Sequence, residues 1–319
     1  MARALATELP RLRPDVYRIV RPPDALAHRA GHLWEQGVLP WRARGAAAVL
    51  SPANVAPAVL GARNAVVIHD AAALRHPEWY GRGYVAWQRA LLPRLARTAG
   101  LVLTVSEFSR GELIDVLGAR PDNVVVVANG VDERFSPDAD PAAARAAAGL
   151  VGKRPYVLAV GTRVARKNLA ALDAAAGALA DRGVDLVAAG GSRAYMRDQA
   201  GGAVRALGYV PDAHLPGLYA GAAALVMPSL YEGFGLPCLE AMACGTPVVA
   251  ADRAALPEVC GDAALLFDPD EPGAIARALV QALEDPGDRV SRGLARARSL
   301  TWQRTARATH AAIQDRFGV

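Results

Sequence analysis

Two glutamates, Glu232 and Glu240, flank a glycine-containing turn in the stretch LYEGFGLPCLEAMACGTPVV. The turn leads into a predicted helix that Pro237 opens, and Gly233 and Gly235 leave backbone amides accessible beside its N-terminus. Unsatisfied amides and the helix dipole attract an anion there, and a diphosphate would fit. Carboxylates accept hydrogen bonds from vicinal diols, so one glutamate can hold a sugar ring and the other a ribose. In the alternative interpretation, both acids only stabilise the start of the helix.

A second candidate is the basic stretch GTRVARKNL at residues 161–169, which follows a predicted strand. Lys167 is one of only two lysines in a chain that otherwise uses arginine, and Arg166 stands beside it. A lysine at a strand-to-helix turn supplies a compact charge that suits a phosphate. As solvated surface residues the two cations would carry no function. Because both turns follow strands of one predicted sheet, we expect them to bind the same diphosphate from two sides.

Short apolar runs alternate with helical patterns through the whole chain. The predicted strands are residues 16–20, 47–50, 65–68, 101–105 and 124–127, then 156–160, 185–188, 203–207, 223–227, 247–250 and 264–267. Such alternation predicts an α/β protein whose parallel sheets carry helices on both faces. A segment rich in Pro, Ala and Asp near residues 137–153 separates the two series, and 319 residues suit two domains.

The composition indicates the cellular compartment of the protein. Arginines interrupt every alanine-rich run, so no window approaches the roughly 20 apolar residues of a membrane span. The first residues lack the apolar region of a secretory signal. The three cysteines have no metal-site spacing and are predicted to be reduced and buried. These features together predict a soluble, cytoplasmic protein.

The net charge of +5 is unevenly distributed. The first 150 residues contain 18 Arg and no Lys against 14 acidic residues, whereas the remainder is nearly balanced. An arginine-rich half favours anionic partners, and Arg89, Arg94 and Arg97 of one predicted helix could contact anionic lipid at the inner face of the membrane. Alternatively, that helix only covers a sheet and its arginines are solvated. No aromatic-interleaved basic cluster indicates nucleic acid as a partner.

The order and spacing of these motifs resemble the retaining GT-B glycosyltransferases called glycosyl transferases group 1, family 4. The stretch PSLYEGFGLPCLEAMACGTPVV is similar to the donor signature of that family, in which seven residues separate two glutamates. GTRVARKNL is similar to its basic donor loop, and GYVPDAHLPGLYAGA to its base-contacting segment. In the first half, WEQGVLP, VVIHD, HPEWY, TVSEFS and NGVD are typical of a subgroup rich in mannosyltransferases.

The resemblance implies a role for each matching residue. Glu232 would contact sugar hydroxyls near the reacting carbon, and His69 would lie at the reactive face of the sugar. Glu240 would hold the ribose. The implied donor-binding residues are Gly161, Thr162, Arg166, Lys167, Val210, Gly233, Phe234, Gly235, Leu236 and Glu240. One departure concerns Thr162, which stands where relatives with a different loop carry an additional arginine, and the neighbouring Arg163 is not assigned that role.

The resemblance also implies an architecture of two facing Rossmann-like, doubly wound domains with a cleft between them. The N-terminal acceptor-binding domain is expected over residues 1–145 and the nucleotide-sugar domain over 151–300, with a C-terminal helix at 301–319 packing on the first. Relatives begin with a strand and a glycine-rich loop. Here the residues after Met1 are similar to the helix that follows that loop. We therefore expect a first domain that lacks this strand and is less stable than the second.

The implied activity is retaining transfer of a hexose, with mannose as the first candidate, from a nucleotide sugar to a glycan, lipid-linked or small-molecule acceptor. GDP-mannose is the first candidate donor, and polysaccharide biosynthesis the expected setting. The alternatives are a non-catalytic subunit that binds nucleotide sugars, and a nucleotide-sugar 2-epimerase or phosphorylase on the same scaffold.

We expect neither a cofactor nor a metal ion. Asp138 and Asp140 have the spacing of a metal motif, but they lie in the proline-rich linker and are interpreted as a solvated turn. His28 and His32 have the i, i+4 spacing of a ligand pair on a helix. With no third ligand evident, they are interpreted as packed or solvated.

Overall fold

The computed structural model describes residues 1–23, 31–138, 149, 151–191 and 202–319. The chain divides into two compact units. The first contains residues 1–77, 82–130 and 302–319, and the second contains residues 78–81 and 131–301.

The first unit contains a parallel sheet with helices on both faces. Its strands are β1 (Val49–Ser51), β2 (Asn64–Val67), β3 (Leu101–Thr104) and β4 (Val124–Val126), and they lie side by side in chain order. Its helices are α1 (Ala2–Leu12), α2 (Gly31–Arg42), α3 (Ala72–Arg75), α4 (Arg82–Thr98), α5 (Glu107–Leu117) and α12 (Trp302–Phe317).

Both faces of this sheet are buried, which explains the continuous apolar runs of its strands. On one face, Val66 packs in a core with residues of α4 and α5, including Leu95 and Leu113. On the other face, Val67 packs with Ile313 of α12. The C-terminal helix is therefore part of the core of the first unit.

The prediction of a strand at residues 16–20 is wrong. The described backbone there forms a turn and then an irregular segment that pairs with no strand. The side chain of Tyr17 instead contacts α12, where its hydroxyl lies 2.9 Å from His310 Nδ1 and the two rings meet edge to face. Tyr17 thus serves helix packing, whereas Ile19 is 43% exposed, and Pro22 and Pro23 could not extend a strand ladder. The other ten predicted strands are present, with ends shifted by at most two residues.

The second unit contains a six-stranded parallel sheet. Its strands are β5 (Tyr156–Val160), β6 (Asp185–Ala189), β7 (Arg205–Gly208), β8 (Ala224–Met227), β9 (Val248–Ala251) and β10 (Ala264–Phe267). Its helices are α6 (Asp173–Ala180), α7 (Leu215–Ala220), α8 (Leu236–Ala243), α9 (Leu256–Cys260), α10 (Ala274–Glu284) and α11 (Arg289–Ser299).

The strand order in this sheet is β10-β9-β8-β5-β6-β7, so the winding direction reverses between β5 and β8. In a doubly wound sheet, the loops that follow the two strands at such a reversal diverge and leave a crevice for ligands. These loops are the two turns that sequence analysis selected. The predicted α/β class, with two parallel sheets, is confirmed.

Candidate active site

The loop after β5 is shaped around the side chain of Lys167. Gly161 has φ of 149°, and a Cβ atom built on it would lie 2.8 Å from Lys167 Cε. Any larger residue at position 161 would displace the lysine chain that crosses it. Asn168, which ends the short 3-10 turn Ala165–Lys167, adopts the left-handed conformation that asparagine tolerates.

A glycine pair after β6 supports this loop from the side, and sequence analysis did not select it. A Cβ atom on Gly190 would lie 2.0 Å from the carbonyl oxygen of Gly161, so only glycine permits this approach. The backbone amide of Arg163 donates to the carbonyl of Gly191 over 3.2 Å. Two glycines directly after a parallel strand are the sequence signal that would have found them.

The loop after β8 is hydrogen-bonded to the loop after β5. The amide of Leu230 donates to the carbonyl of Arg166 over 2.8 Å, and Arg166 Nη1 donates to the carbonyl of Tyr231 over 2.9 Å. Gly235 has φ of 98°, and a Cβ atom there would meet Leu256 at 2.7 Å. These contacts fix the direction in which α8 begins at Leu236.

Glu232 joins the two loops through a buried charge cluster. Its Oε1 lies 2.6 Å from Lys167 Nζ, and its Oε2 lies 3.1 Å from Arg166 Nη1. The side chains of Glu232 and Lys167 are each only 9% exposed. The structure thus brings together three residues that the sequence predicted separately.

Burial and pairing act in opposite directions on these charges. Burial opposes the charged carboxylate of Glu232, but Lys167 and Arg166 outweigh it and lower the pKa of Glu232 to about 2. For Lys167, burial has the larger effect and lowers the pKa although Glu232 favours the charged ammonium. Glu232 is therefore an ionised hydrogen-bond acceptor at neutral pH.

Glu240, one turn into α8, has a different partner. Its Oε2 accepts a hydrogen bond of 2.7 Å from the hydroxyl of Tyr219 on α7. Burial raises the pKa of Glu240, and the bond from Tyr219 opposes that rise. Sequence analysis did not select Tyr219, because an aromatic residue on a short helix has the pattern of an ordinary core residue.

The other predicted donor-binding residues lie at the carboxyl end of the same sheet. Thr162 is half-buried beside Gly161, and Phe234 is buried in the turn after β8. Leu236 is the first residue of α8, and Val210 is buried just after β7.

His69 belongs to the first unit, directly after β2. Its backbone amide donates to Asn54 Oδ1 over 2.7 Å, and its carbonyl accepts from the hydroxyl of Ser109. Its Nε2 lies 3.3 Å from the carbonyl oxygen of Pro52. Burial lowers the pKa of His69, although Asp70 favours the protonated ring.

Within the described ranges, no group of three or more His, Cys, Asp or Glu residues could hold a metal ion. His32 lies 3.7 Å from Glu35 and packs against Trp87, whereas His28 and Asp140 lie outside the described residues. Cys238, Cys244 and Cys260 are free and buried, as predicted. No helix among the described residues is both long and apolar enough to cross a bilayer.

Comparison with known proteins shows the family of the chain. "Glycosyltransferase Family 4" matches residues 2–135, and "Glycosyl transferases group 1" matches residues 154–285. The chain is 36% identical over 259 residues to O-antigen chain mannosyltransferase B of Escherichia coli, an alignment that covers 76% of this chain and 67% of that protein. Five further curated glycosyltransferases are 31–36% identical, and the chain spans 47–60% of their lengths.

Two solved structures share the fold. Sucrose-phosphate synthase from Thermosynechococcus elongatus superposes with a TM-score of 0.71 at 21% identity, covering 95% of this chain and 82% of the synthase. Anabaena Alr3699/HepE, in complex with UDP-glucose, gives a TM-score of 0.55 at 22% identity, covering 80% of this chain and 68% of HepE. The fold and site therefore define an enzyme of the GT-B class. The chain belongs to the group 1, family 4 glycosyltransferases.

The first prediction concerns the stability of the charge cluster. Glu232→Gln leaves the buried Lys167 without its anion, so the free energy of unfolding should fall by about 3 to 5 kcal/mol. Glu284→Gln is the matched control, because Glu284 pairs with Arg182 over 2.7 Å at an exposed position. That change should cost less than about 1 kcal/mol. Urea unfolding at pH 7 measures both values. Equal losses of unfolding free energy in the two variants would contradict the stabilising role of the buried ion pair.

The pH dependence of the same measurement provides a second readout. The folded pKa of Glu232 lies below its ordinary value of 4.5, so its stabilisation is present above pH 4.5 and is lost as the pH falls toward 2. The stability difference between wild type and Glu232→Gln should therefore narrow across this window. A constant difference would mean that Glu232 is not ionised in the folded protein.

Proposed function

We propose that this chain transfers a hexose, mannose being the first candidate, from a nucleoside diphosphate sugar to a glycan or lipid-linked acceptor with retention of configuration. The observation that carries the proposal is the buried cluster of Glu232, Arg166 and Lys167 at the point where the strand order reverses. It combines an anion suited to sugar hydroxyls with cations suited to a diphosphate.

Stabilising the departing diphosphate is the main catalytic requirement in this proposal. Cleavage of the glycosidic bond places negative charge on the diphosphate, and preorganised donors lower the barrier. Lys167 and Arg166 supply such donors from the loop after β5, and the N-terminus of α8 adds backbone amides. We propose that these groups suffice without a metal ion.

Glu232 then acts as a hydrogen-bond acceptor and an anion. With a pKa of about 2 it is not a proton donor at neutral pH. An ionised carboxylate beside the donor sugar holds its hydroxyls and stabilises positive charge on the anomeric carbon. We propose front-face attack, in which a diphosphate oxygen accepts the proton of the acceptor hydroxyl. A covalent glycosyl intermediate is the alternative route to retention.

His69 is proposed to contact the sugar as a neutral imidazole. The carbonyl of Pro52 can only accept a hydrogen bond, so the Nε2 that lies 3.3 Å away must donate. Nδ1 then remains as an acceptor for a sugar hydroxyl. The lowered pKa of His69 keeps the ring neutral at physiological pH.

The choice of donor rests on the relatives. GDP-mannose is the first candidate because O-antigen chain mannosyltransferase B is similar over most of this chain. UDP-glucose is the second, because it is bound in the structure of Anabaena HepE, which shares the fold.

We predict that a nucleoside diphosphate binds between the loops at residues 161–167 and 232–236, with GDP bound more tightly than UDP or dTDP. Isothermal titration calorimetry with the three nucleotides measures this. Lys167→Met should lower the affinity at least tenfold, because it removes a diphosphate donor. Lys153→Met, at the other lysine of the chain, is the control. No binding by any of the three nucleotides would refute the proposal.

We also predict different kinetic roles for the two glutamates. Glu232→Gln should lower kcat more than tenfold, because a charge beside the reacting carbon matters most in the transition state. Glu240→Gln should raise KM for the donor with little change in kcat, because a ribose contact persists throughout the reaction. His69→Ala should have the same effect on kcat as Glu232→Gln. Equal losses of kcat in both glutamate variants at unchanged KM would contradict this division, and binding without any product would favour a non-catalytic subunit.

Peripheral association with an anionic membrane is a further part of the proposal, and one surface of the first unit supports it. Leu33 on α2, Trp41 on α2 and Val59 in the 3-10 helix Ala58–Arg63 are 77%, 61% and 74% exposed. We call these three residues the Trp41 surface. Gln36 of α2 bonds the backbone at Ala56 and Ala58, which places α2 beside the 3-10 helix.

Positively charged residues lie on the same segments as the Trp41 surface and on the helix that packs beside them. Helix α4 packs beside α2 through the contact between Trp87 and His32, and its Arg89 and Arg94 are exposed. The guanidinium of Arg44 lies 5.0 Å from the ring centre of Trp41. Residues 31–42, 58–63 and 82–98 contain six arginines and one acidic residue. Exposed apolar residues on arginine-rich segments suit an anionic bilayer surface.

Sedimentation with lipid vesicles tests this surface. Wild-type protein should bind vesicles containing phosphatidylglycerol and should not bind pure phosphatidylcholine. Trp41→Ser and the pair Arg89→Gln/Arg94→Gln should each weaken binding several-fold, because they remove apolar insertion and charge attraction respectively. Tyr209→Ser, at a 76% exposed residue of the second unit, is the control. Equal binding by all variants would show that the Trp41 surface does not bind the membrane.

A further inference from the structure

Tyr219 is placed to orient Glu240. It is completely buried, and its hydroxyl donates to Glu240 Oε2 over 2.7 Å. The ring of Phe135 packs against its edge at 5.7 Å, and the hydroxyl of Thr246 donates to its backbone carbonyl over 2.7 Å. The phenol is therefore fixed at both ends before any ligand binds.

The hydrogen bond from Tyr219 fixes one oxygen of the Glu240 carboxylate. Glu240 is half-buried on α8, with Oε2 engaged by Tyr219. A carboxylate has two oxygens and about four acceptor positions, so Oε1 retains its capacity for hydroxyl donors. Without the phenol, Glu240 could rotate among rotamers, and each productive contact would cost additional ordering.

We propose that Tyr219 is a positioning residue that presents Glu240 to the two ribose hydroxyls of the donor and so makes the site selective for ribonucleotides. This inference rests on the proposed function, in which Glu240 holds the ribose. A carboxylate kept in place for two hydroxyls is left partly unsatisfied by a nucleotide that lacks them. The selectivity should therefore depend on the phenolic hydroxyl and not on the ring.

The test compares the affinities of GDP and 2′,3′-dideoxy-GDP by calorimetry. Wild type should bind GDP at least tenfold more tightly. Tyr219→Phe keeps the ring and removes only the hydroxyl, so the ratio of the affinity for GDP to that for 2′,3′-dideoxy-GDP should fall below about threefold. The kcat at saturating donor should change little, because the role of Tyr219 lies in donor binding. Tyr156→Phe is the matched control, because Tyr156 is also completely buried and its hydroxyl donates to the carbonyl of Leu218 over 2.7 Å. That variant should keep the wild-type ratio.

Two further variants keep the test decisive if Tyr219→Phe folds poorly. Phe135→Leu should lower the ratio by loosening the ring of Tyr219, and Glu240→Gln should lower it directly. Adding Tyr219→Phe to Glu240→Gln should bring no further loss.

Each remaining outcome separates the inference from the proposed function. A wild-type ratio in Tyr219→Phe would overturn the positioning role. Equal affinity of wild type for both nucleotides would overturn the ribose role of Glu240 and this inference with it. No nucleotide binding at all would overturn the proposed function itself.

Discussion

The ion pair between Lys167 and Glu232 is the interaction on which the rest of the site depends. A buried ammonium is tolerated only where an anion lies in contact with it, and the 2.6 Å separation from Glu232 satisfies that condition. The two residues come from loops 65 positions apart in the chain. Those loops meet only because β5 and β8 are neighbours in the sheet. The order of the strands therefore determines that the two loops meet, and the charge cluster holds them together.

Glycine residues make that approach possible. Gly161 leaves room for the lysine chain, and Gly190 allows two backbone segments to lie closer than any side chain would permit. The same crowding leaves the side chains of Glu232 and Lys167 only 9% exposed, so their charges interact more strongly than they would in water. A site of this kind is arranged before the donor arrives. In the proposed reaction the incoming diphosphate competes with Glu232 for cations that are already in place.

Much of this architecture could be predicted from the sequence, for identifiable reasons. Buried parallel strands are continuous apolar runs, so β5 and β10 were predicted to the residue. The same signal failed at residues 16–20, because there Tyr17 packs on a helix that lies almost 300 positions later and the described backbone pairs with no strand. The residue types also selected both loops of the candidate site. The sequence could not indicate that Glu232 pairs with Lys167, or that Tyr219 holds Glu240, because both contacts depend on which strands and helices become neighbours.

The most direct measurement is a crystal structure of the protein with GDP bound. The account predicts that diphosphate oxygens lie within about 3 Å of Lys167 Nζ or the guanidinium of Arg166. It also predicts that the ribose hydroxyls contact Glu240 while Tyr219 keeps its bond to that carboxylate. A nucleotide bound elsewhere, with the cluster of Glu232, Arg166 and Lys167 unchanged and contacting no phosphate, would contradict the account.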